Sequence, residues 1–167
     1  MTASPIPGSM GDMKTKTLLL TLALCFAAGT ICFAASPQMG TWKLNEAKSK
    51  ITPGTMKNTM VVYEEATGGK VKITTDGVDA AGKPAHSEWT GKLDGKDYSV
   101  TGDPTSDMRS YKKVDDRTLD FTVKKSGKVT VNGRVSVSAD GKSRTVTTSG
   151  TTAKGKKFSN KAVFDKQ

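Results

Sequence analysis

The run KVTVNGRVSVSA, residues 128 to 139, alternates apolar and polar side chains almost without a break. In an extended chain Val129, Val131, Val135 and Val137 fall on one side, with Thr130, Asn132, Arg134, Ser136 and Ser138 on the other. A period of two does not fit a helix, whose apolar positions recur every three or four residues. The same pattern governs TLDFTV, where Leu119, Phe121 and Val123 oppose Thr118, Asp120 and Thr122. Strands are predicted over 40–45, 57–65, 70–78, 86–93, 97–102, 108–114, 118–125, 128–138, 143–151 and 157–165. Gly68-Gly69, Asp94-Gly95 and Asp140-Gly141 supply the turn residues of tight hairpins between them. A long meander of hairpins leaves two unpaired edges unless it closes on itself. The expected fold is therefore all-β, a single up-and-down antiparallel barrel of about eight to ten strands. A membrane barrel needs an apolar outer face with aromatic girdles. The full chain has only two Trp, three Tyr and five Phe, and its polar faces are Lys, Thr and Ser.

The start of the chain reads differently. Lys14 and Lys16 precede the apolar run Thr17 to Ala34, and no charged residue occurs from Thr17 through Trp42. A basic segment followed by an apolar one, with Cys32 and Ala34 at the small-residue positions, predicts an exported chain with a helical signal segment cleaved near Ala34; Ala35 is the close rival. The expected organisation is residues 1–34 as extension and signal, and 35–167 as one barrel domain in the periplasm or outside the cell. Without its first 34 residues the 167-residue chain retains 133, and both cysteines go with the removed part. No disulfide, thiolate ligand or cysteine nucleophile is then available. The 24 basic and 15 acidic side chains that remain give a net charge of +9.

Catalytic constellations are absent. His86 is the only histidine, and alternation aims it away from Ser87. There is no Gly-x-Ser-x-Gly, phosphate loop or histidine cluster with metal spacing. Glu64-Glu65 and Asp115-Asp116 fall at a strand end and in a turn. Asp103 to Asp107, DPTSD, reads as a proline turn with flanking acids, short of a calcium loop's ligand count. The expectation is a non-enzyme with no cofactor and no metal. Its lysines, placed at turns and on wet strand faces, protect edges and leave an anionic envelope component as a possible partner. Nucleic acid is not expected, because no basic-aromatic stacking series occurs.

KITTDGVDAAGKPAHSEW, residues 72 to 89, aligns with TVTTSGTTAKGKKFSNKA, residues 145 to 162, suggesting two related halves with strands 70–78 and 143–151 in equivalent places.

GTWKLN at 40–45, the short strands that follow and the terminal AVFDK resemble the calycin superfamily, the lipocalins and intracellular fatty-acid-binding proteins. The resemblance implies that Gly40 and Trp42 close one end of the barrel, with Trp42 packed near a basic residue from late in the chain: Arg134, Arg144 or Lys161. The phrases GTWKLN, DG-x-DA-x-GK and TGDP also resemble small exported bacterial lipocalin-like proteins, without implying an activity. Two features depart from fatty-acid-binding proteins. Residues 46–56 are too short and too rich in Pro and Gly for a helical lid. Ala162 and Phe164 replace the Arg-x-Tyr that grips a lipid carboxylate. What the resemblance implies is a non-catalytic binding protein holding a small hydrophobic or amphipathic ligand. The expected cavity lining is Trp89, Leu93, Tyr98, Val100, Leu119, Phe121, Val131 and Val135, with Arg134, Tyr63 and Tyr111 as further candidates. The alternative is a filled barrel acting as an envelope-associated interaction module through its basic surface.

Overall fold

The computed structural model describes Met1, residues 36 to 152 and residues 154 to 167. The apolar segment 17–34 and the cleavage point near Ala34 lie outside the described residues. Ten strands form in chain order: β1 Gly40–Leu44, β2 Lys57–Ala66, β3 Lys70–Val78, β4 Pro84–Gly91, β5 Tyr98–Thr101, β6 Met108–Lys113, β7 Thr118–Lys125, β8 Lys128–Val137, β9 Ser143–Thr151 and β10 Lys157–Lys166. Each pairs antiparallel with its neighbours in sequence, and β1 pairs with β10, so the sheet closes. All ten expected strands are present and no α-helix occurs among the described residues; a single 3-10 turn, Glu46–Lys48, follows β1. The largest boundary difference is at β4, expected over 86–93 and found two residues earlier. Asp79 explains it: its Oδ1 accepts from the Ala81 and Lys83 amides at 2.8 and 2.9 Å, ending the turn just before Pro84. Proline is tolerated as the first residue of a strand.

Closure fixes which side of every strand is dry. At one end of the barrel Trp42 is fully buried (0% exposed), and its Nε1 donates to the Gln38 carbonyl at 3.0 Å. Gln38, itself buried, donates from Nε2 to the Arg117 carbonyl at 2.8 Å and so ties the segment before β1 across this end. Arg144, 2% exposed, places its guanidinium 4.9 Å from the Trp42 ring centroid, 4.7 Å from Tyr63 and 5.0 Å from Phe164. Among the three basic candidates, Arg144 is the partner of Trp42. Lys161 and Arg134 lie exposed, Arg134 held by Asp120 through bonds of 2.7 and 3.0 Å.

Above this plug the middle of the barrel is aromatic. Trp89 lies edge-on to Tyr98 and to Tyr111, with centroids 5.8 and 4.7 Å apart, and Tyr111 packs on Phe121 at 5.4 Å. Two glycines make room: a Cβ on Gly91 would come 2.5 Å from the Trp89 ring, and one on Gly133 2.2 Å from Phe121. The outer face is a different surface, with ion pairs such as Lys72–Glu88 at 2.6 Å between β3 and β4 and Lys124–Asp97 at 2.6 Å between β7 and the β4–β5 connection.

The repeated phrases occupy the hairpins β3–β4 and β9–β10. They match pair for pair, since Thr75 faces Ser87 across one hairpin and Thr148 faces Asn160 across the other. In the closed ring β3 and β9 stand four strands apart by way of the β1–β10 seam and six the other way.

Among the described residues Arg144 has no carboxylate partner, and its Nε and one terminal nitrogen lack hydrogen bonds, so stacking on the three rings is its main contact. Arg144→Met, which keeps length and places a thioether among the rings, is expected to cost less than about 1.5 kcal/mol. Arg144→Lys, which buries a strongly hydrated point charge, is expected to cost about 3 kcal/mol or more. Guanidinium unfolding curves of the two variants decide between stacking and charge as the contribution of Arg144.

Candidate functional site

The strand directions sort the connections between two ends. The turns β2–β3, β4–β5, β6–β7 and β8–β9 lie with Trp42, while the loops β1–β2, β3–β4, β5–β6, β7–β8 and β9–β10 surround the opposite end, the mouth. Inward positions become polar toward the mouth. Thr75, Ser87 and Asn160 are buried there, where apolar side chains stand deeper along the same strands: Ile73, Trp89 and Phe164.

The β1–β2 loop closes part of this end. Asn160 Oδ1 accepts from the Thr52 amide at 2.8 Å and its Nδ2 donates to Thr55 Oγ1 at 3.1 Å; Ser49 Oγ accepts from the Val163 amide at 2.9 Å. The loop is thereby fastened along β10. Beside it lies a half-enclosed cleft of 510 Å³ between the β1–β2 loop, the β3–β4 turn and the β5–β6 loop. Met56, Ala80, Ala81, Pro84, Ala85 and Pro104 form its apolar walls, and Asn58, Thr75, Ser87, Asp103 and Thr105 supply polar groups. Gly102 is required where β5 leaves the wall, because its φ is +80° and a Cβ would lie 2.5 Å from the His86 carbonyl oxygen.

Asp103 is the organising residue of the rim. It is 9% exposed and accepts from the Thr105 amide at 2.8 Å, Thr105 Oγ1 at 2.6 Å and Ser106 Oγ at 2.6 Å. On its inner side the Arg109 guanidinium, equally buried, stands 3.4 Å away, and Arg109 Nε has no partner. Burial acts to raise the Asp103 carboxyl pKa, but the bonds from Ser106 and Thr105 and the charge of Arg109 outweigh it and hold it below the ordinary carboxylate value. Deeper in, burial and the neighbouring Tyr111 push the Tyr63 hydroxyl well above the usual phenol range, so Tyr63 is neutral beside the cationic Arg144. Arg144 is itself depressed by burial, yet a guanidinium remains charged in a protein.

None of the expected lining residues lines this cleft. Trp89, Val100, Leu119, Val135, Tyr63 and Tyr111 come together as the buried core, with Leu93, Tyr98 and Phe121 packed against them. Val131 faces inward on β8 opposite Gly150 and Val123 and is half-buried. Leu93 belongs to the β4–β5 connection, not to a strand, and its carbonyl accepts from the Lys113 amide at 3.1 Å. Arg134 stands on the outer wall, as the alternation with Val135 requires, so its place among cavity-lining candidates is corrected. The cleft residues escaped the sequence because three separate loops meet only when the barrel curves. One signal was available: Arg109 shares strand parity with Tyr111, which places a cation inside.

His86 and Ser87 border the cleft but face opposite sides of β4. His86 is exposed with Nδ1 2.7 Å from Asp76 Oδ1, while Ser87 turns inward. Among the described residues no group of three or more His, Cys, Asp or Glu is placed to hold a metal, and no helix is long and apolar enough to cross a membrane.

No family model matches the chain, and no curated protein matches it. Among solved structures it is similar to the redesigned beta barrel mFAP1 bound to DFHBI, at 16% identity over 78% of this chain and 98% of that one, with a TM-score of 0.40. It is also similar to EF1p2_mFAP2b bound to DFHBI, at 13% identity over 80% of this chain and 97% of that one, with a TM-score of 0.45.

The depressed carboxyl of Asp103 makes the rim acid-sensitive. Its contribution is complete above the ordinary carboxylate pKa and is lost as pH falls through the lower folded value. Asp103→Asn removes that contribution and leaves Arg109 buried without a carboxylate, an expected loss of about 3 kcal/mol at neutral pH. The gap in unfolding free energy between the two proteins is expected to be constant near neutral pH and to narrow progressively as pH falls below the ordinary carboxylate value; a gap that stays constant throughout would exclude this role for Asp103.

Proposed function

We propose that this chain is an exported, non-catalytic, lipocalin-like barrel that takes a small, partly apolar ligand at its mouth. The cleft carries the proposal: 510 Å³ lies within the range that small ligands occupy, and its apolar walls over a polar floor suit an amphipathic molecule. The ligand sits among the mouth loops and above the Thr75–Ser87 pair, because deeper space is taken by Trp89, Tyr111 and Phe121. The calycin resemblance is supported by Trp42 stacked on Arg144 at the closed end. Export rests on the apolar segment 17–34 behind Lys14 and Lys16. The absence of catalysis is supported by the separation of Ser87 from His86.

Nile red, a neutral apolar fluorophore, tests the cleft without drawing on surface charge. The intact protein is expected to bind it with enhanced emission. Ala85→Trp, which fills the wall beside Ser87, is expected to weaken binding by about tenfold or more while leaving the unfolding midpoint nearly unchanged. Tight binding by Ala85→Trp, or none by the intact protein, contradicts the proposal.

A further inference from the structure

The net positive charge of this barrel arises from one sector. Between Phe121 and Phe164 the chain has ten Lys and Arg against one acid, Asp140, while the remainder of residues 35 to 167 has 14 of each sign. The whole net charge of +9 therefore comes from the end of β7 and from β8, β9 and β10, which are adjacent in the sheet. Asp140 stands in the β8–β9 turn at the Trp42 end. Lys125, Lys128, Lys154, Lys156 and Lys157 surround the β7–β8 and β9–β10 turns at the mouth, and Lys161 lies outward on β10. All six are exposed, and none forms an ion pair among the described residues, where Lys124 and Arg134 of the same sector do.

A seventh lysine is brought in by the backbone. Lys50 and Lys161 exchange reciprocal main-chain bonds of 2.7 and 2.8 Å, which sets two like charges directly opposite each other. That juxtaposition costs stability in the isolated protein and is relieved by an anion. Between the lysines the outer surface is hydroxyl and amide: Asn132, Ser149 and Ser159 form one row across three strands, and Thr147 and Thr151 are exposed beside them. Val129 is the one strongly exposed large hydrophobic residue of this sector among the described residues.

We propose that the β8–β10 face binds an anionic polysaccharide, a hydroxyl-rich chain bearing carboxylate, sulfate or phosphate groups. Lysines answer its charges, and the Ser, Thr and Asn side chains exchange hydrogen bonds with its sugar hydroxyls. A lipid surface calls for several apolar side chains that enter the acyl boundary, and single-stranded nucleic acid calls for aromatic stacking platforms; among the described residues this face exposes the single Val129 and no strongly exposed aromatic ring. The face lies on the outer wall, so it stands or falls separately from the ligand cleft.

The test is isothermal titration of the full chain with dextran sulfate, polygalacturonate and neutral dextran, beside phosphatidylglycerol vesicles, at low and high salt. Both anionic polysaccharides are expected to bind with an affinity that falls steeply with salt, and neutral dextran is expected not to bind. Reversing Lys154, Lys156, Lys157 and Lys161 to Glu is expected to weaken binding roughly tenfold or more. Reversing Lys70, Lys92, Lys96 and Lys112, the same charge change in the electroneutral sector, is expected to weaken it no more than about twofold. The milder pair Lys157→Gln with Lys161→Gln is expected to fall between. Equal losses in the two reversal variants, binding to vesicles but to neither polysaccharide, or no binding at low salt would each overturn the proposal.

Discussion

The packed cluster of Trp42, Tyr63 and Phe164 around the Arg144 side chain is the contact on which the barrel depends. Trp42 comes from β1, Tyr63 from β2, Arg144 from β9 and Phe164 from β10, so one cluster joins both ends of the chain across the line where the sheet closes. A ten-stranded meander without that joint would expose two edges, and the backbone bonds of β1 with β10 alone cover only a few residues. The arrangement has a cost, since among the described residues this buried cation has no carboxylate beside it and two of its donors are unmet. Stacking on several ring faces in a dry site offsets part of it.

From this joint the interior changes character along the axis. The aromatic middle is occupied by rings that lie over glycines, with Trp89 against Tyr98 and Tyr111, and Tyr111 against Phe121. Toward the mouth the inward positions become Thr75, Ser87 and Asn160, and hydrogen bonds to loops replace packing. The Asp103–Arg109 pair marks the boundary between the two regimes. Rigid floor and looped rim are a division of labour common to proteins that carry binding sites on loops held by a stable scaffold.

Alternation made the fold legible, because a side-chain period of two is local and survives in every strand. It would also have chosen the partner of Trp42. Arg144 shares parity with Val146 and must point inward, whereas Arg134 alternates with Val135 and Lys161 with Ala162, which sends both outward. The cleft was not legible in the same way. Its walls come from Met56, Ala81, Pro84 and Pro104 in three loops, and their meeting depends on barrel curvature, which no local pattern encodes. The aromatic residues that looked like a lining share the dry face with the core, and parity cannot tell a filled interior from a hollow one. DPTSD looked like a surface turn because Pro and two acids usually stay wet; burial of Asp103 follows from Arg109 behind it, a contact six residues away across a hairpin.

Closure by the β1–β10 seam is the central claim, and native-state hydrogen exchange measures it most directly. If the Arg144 cluster seals the ring, the amides of Leu44, Phe164 and Trp42 open only with global unfolding and are protected as strongly as those of Ile73 and Val135. The mouth loops, 79–83 and 103–106, exchange far faster. Rapid exchange along β1 and β10, with full protection elsewhere, would show an open sheet with two frayed edges and would contradict the account.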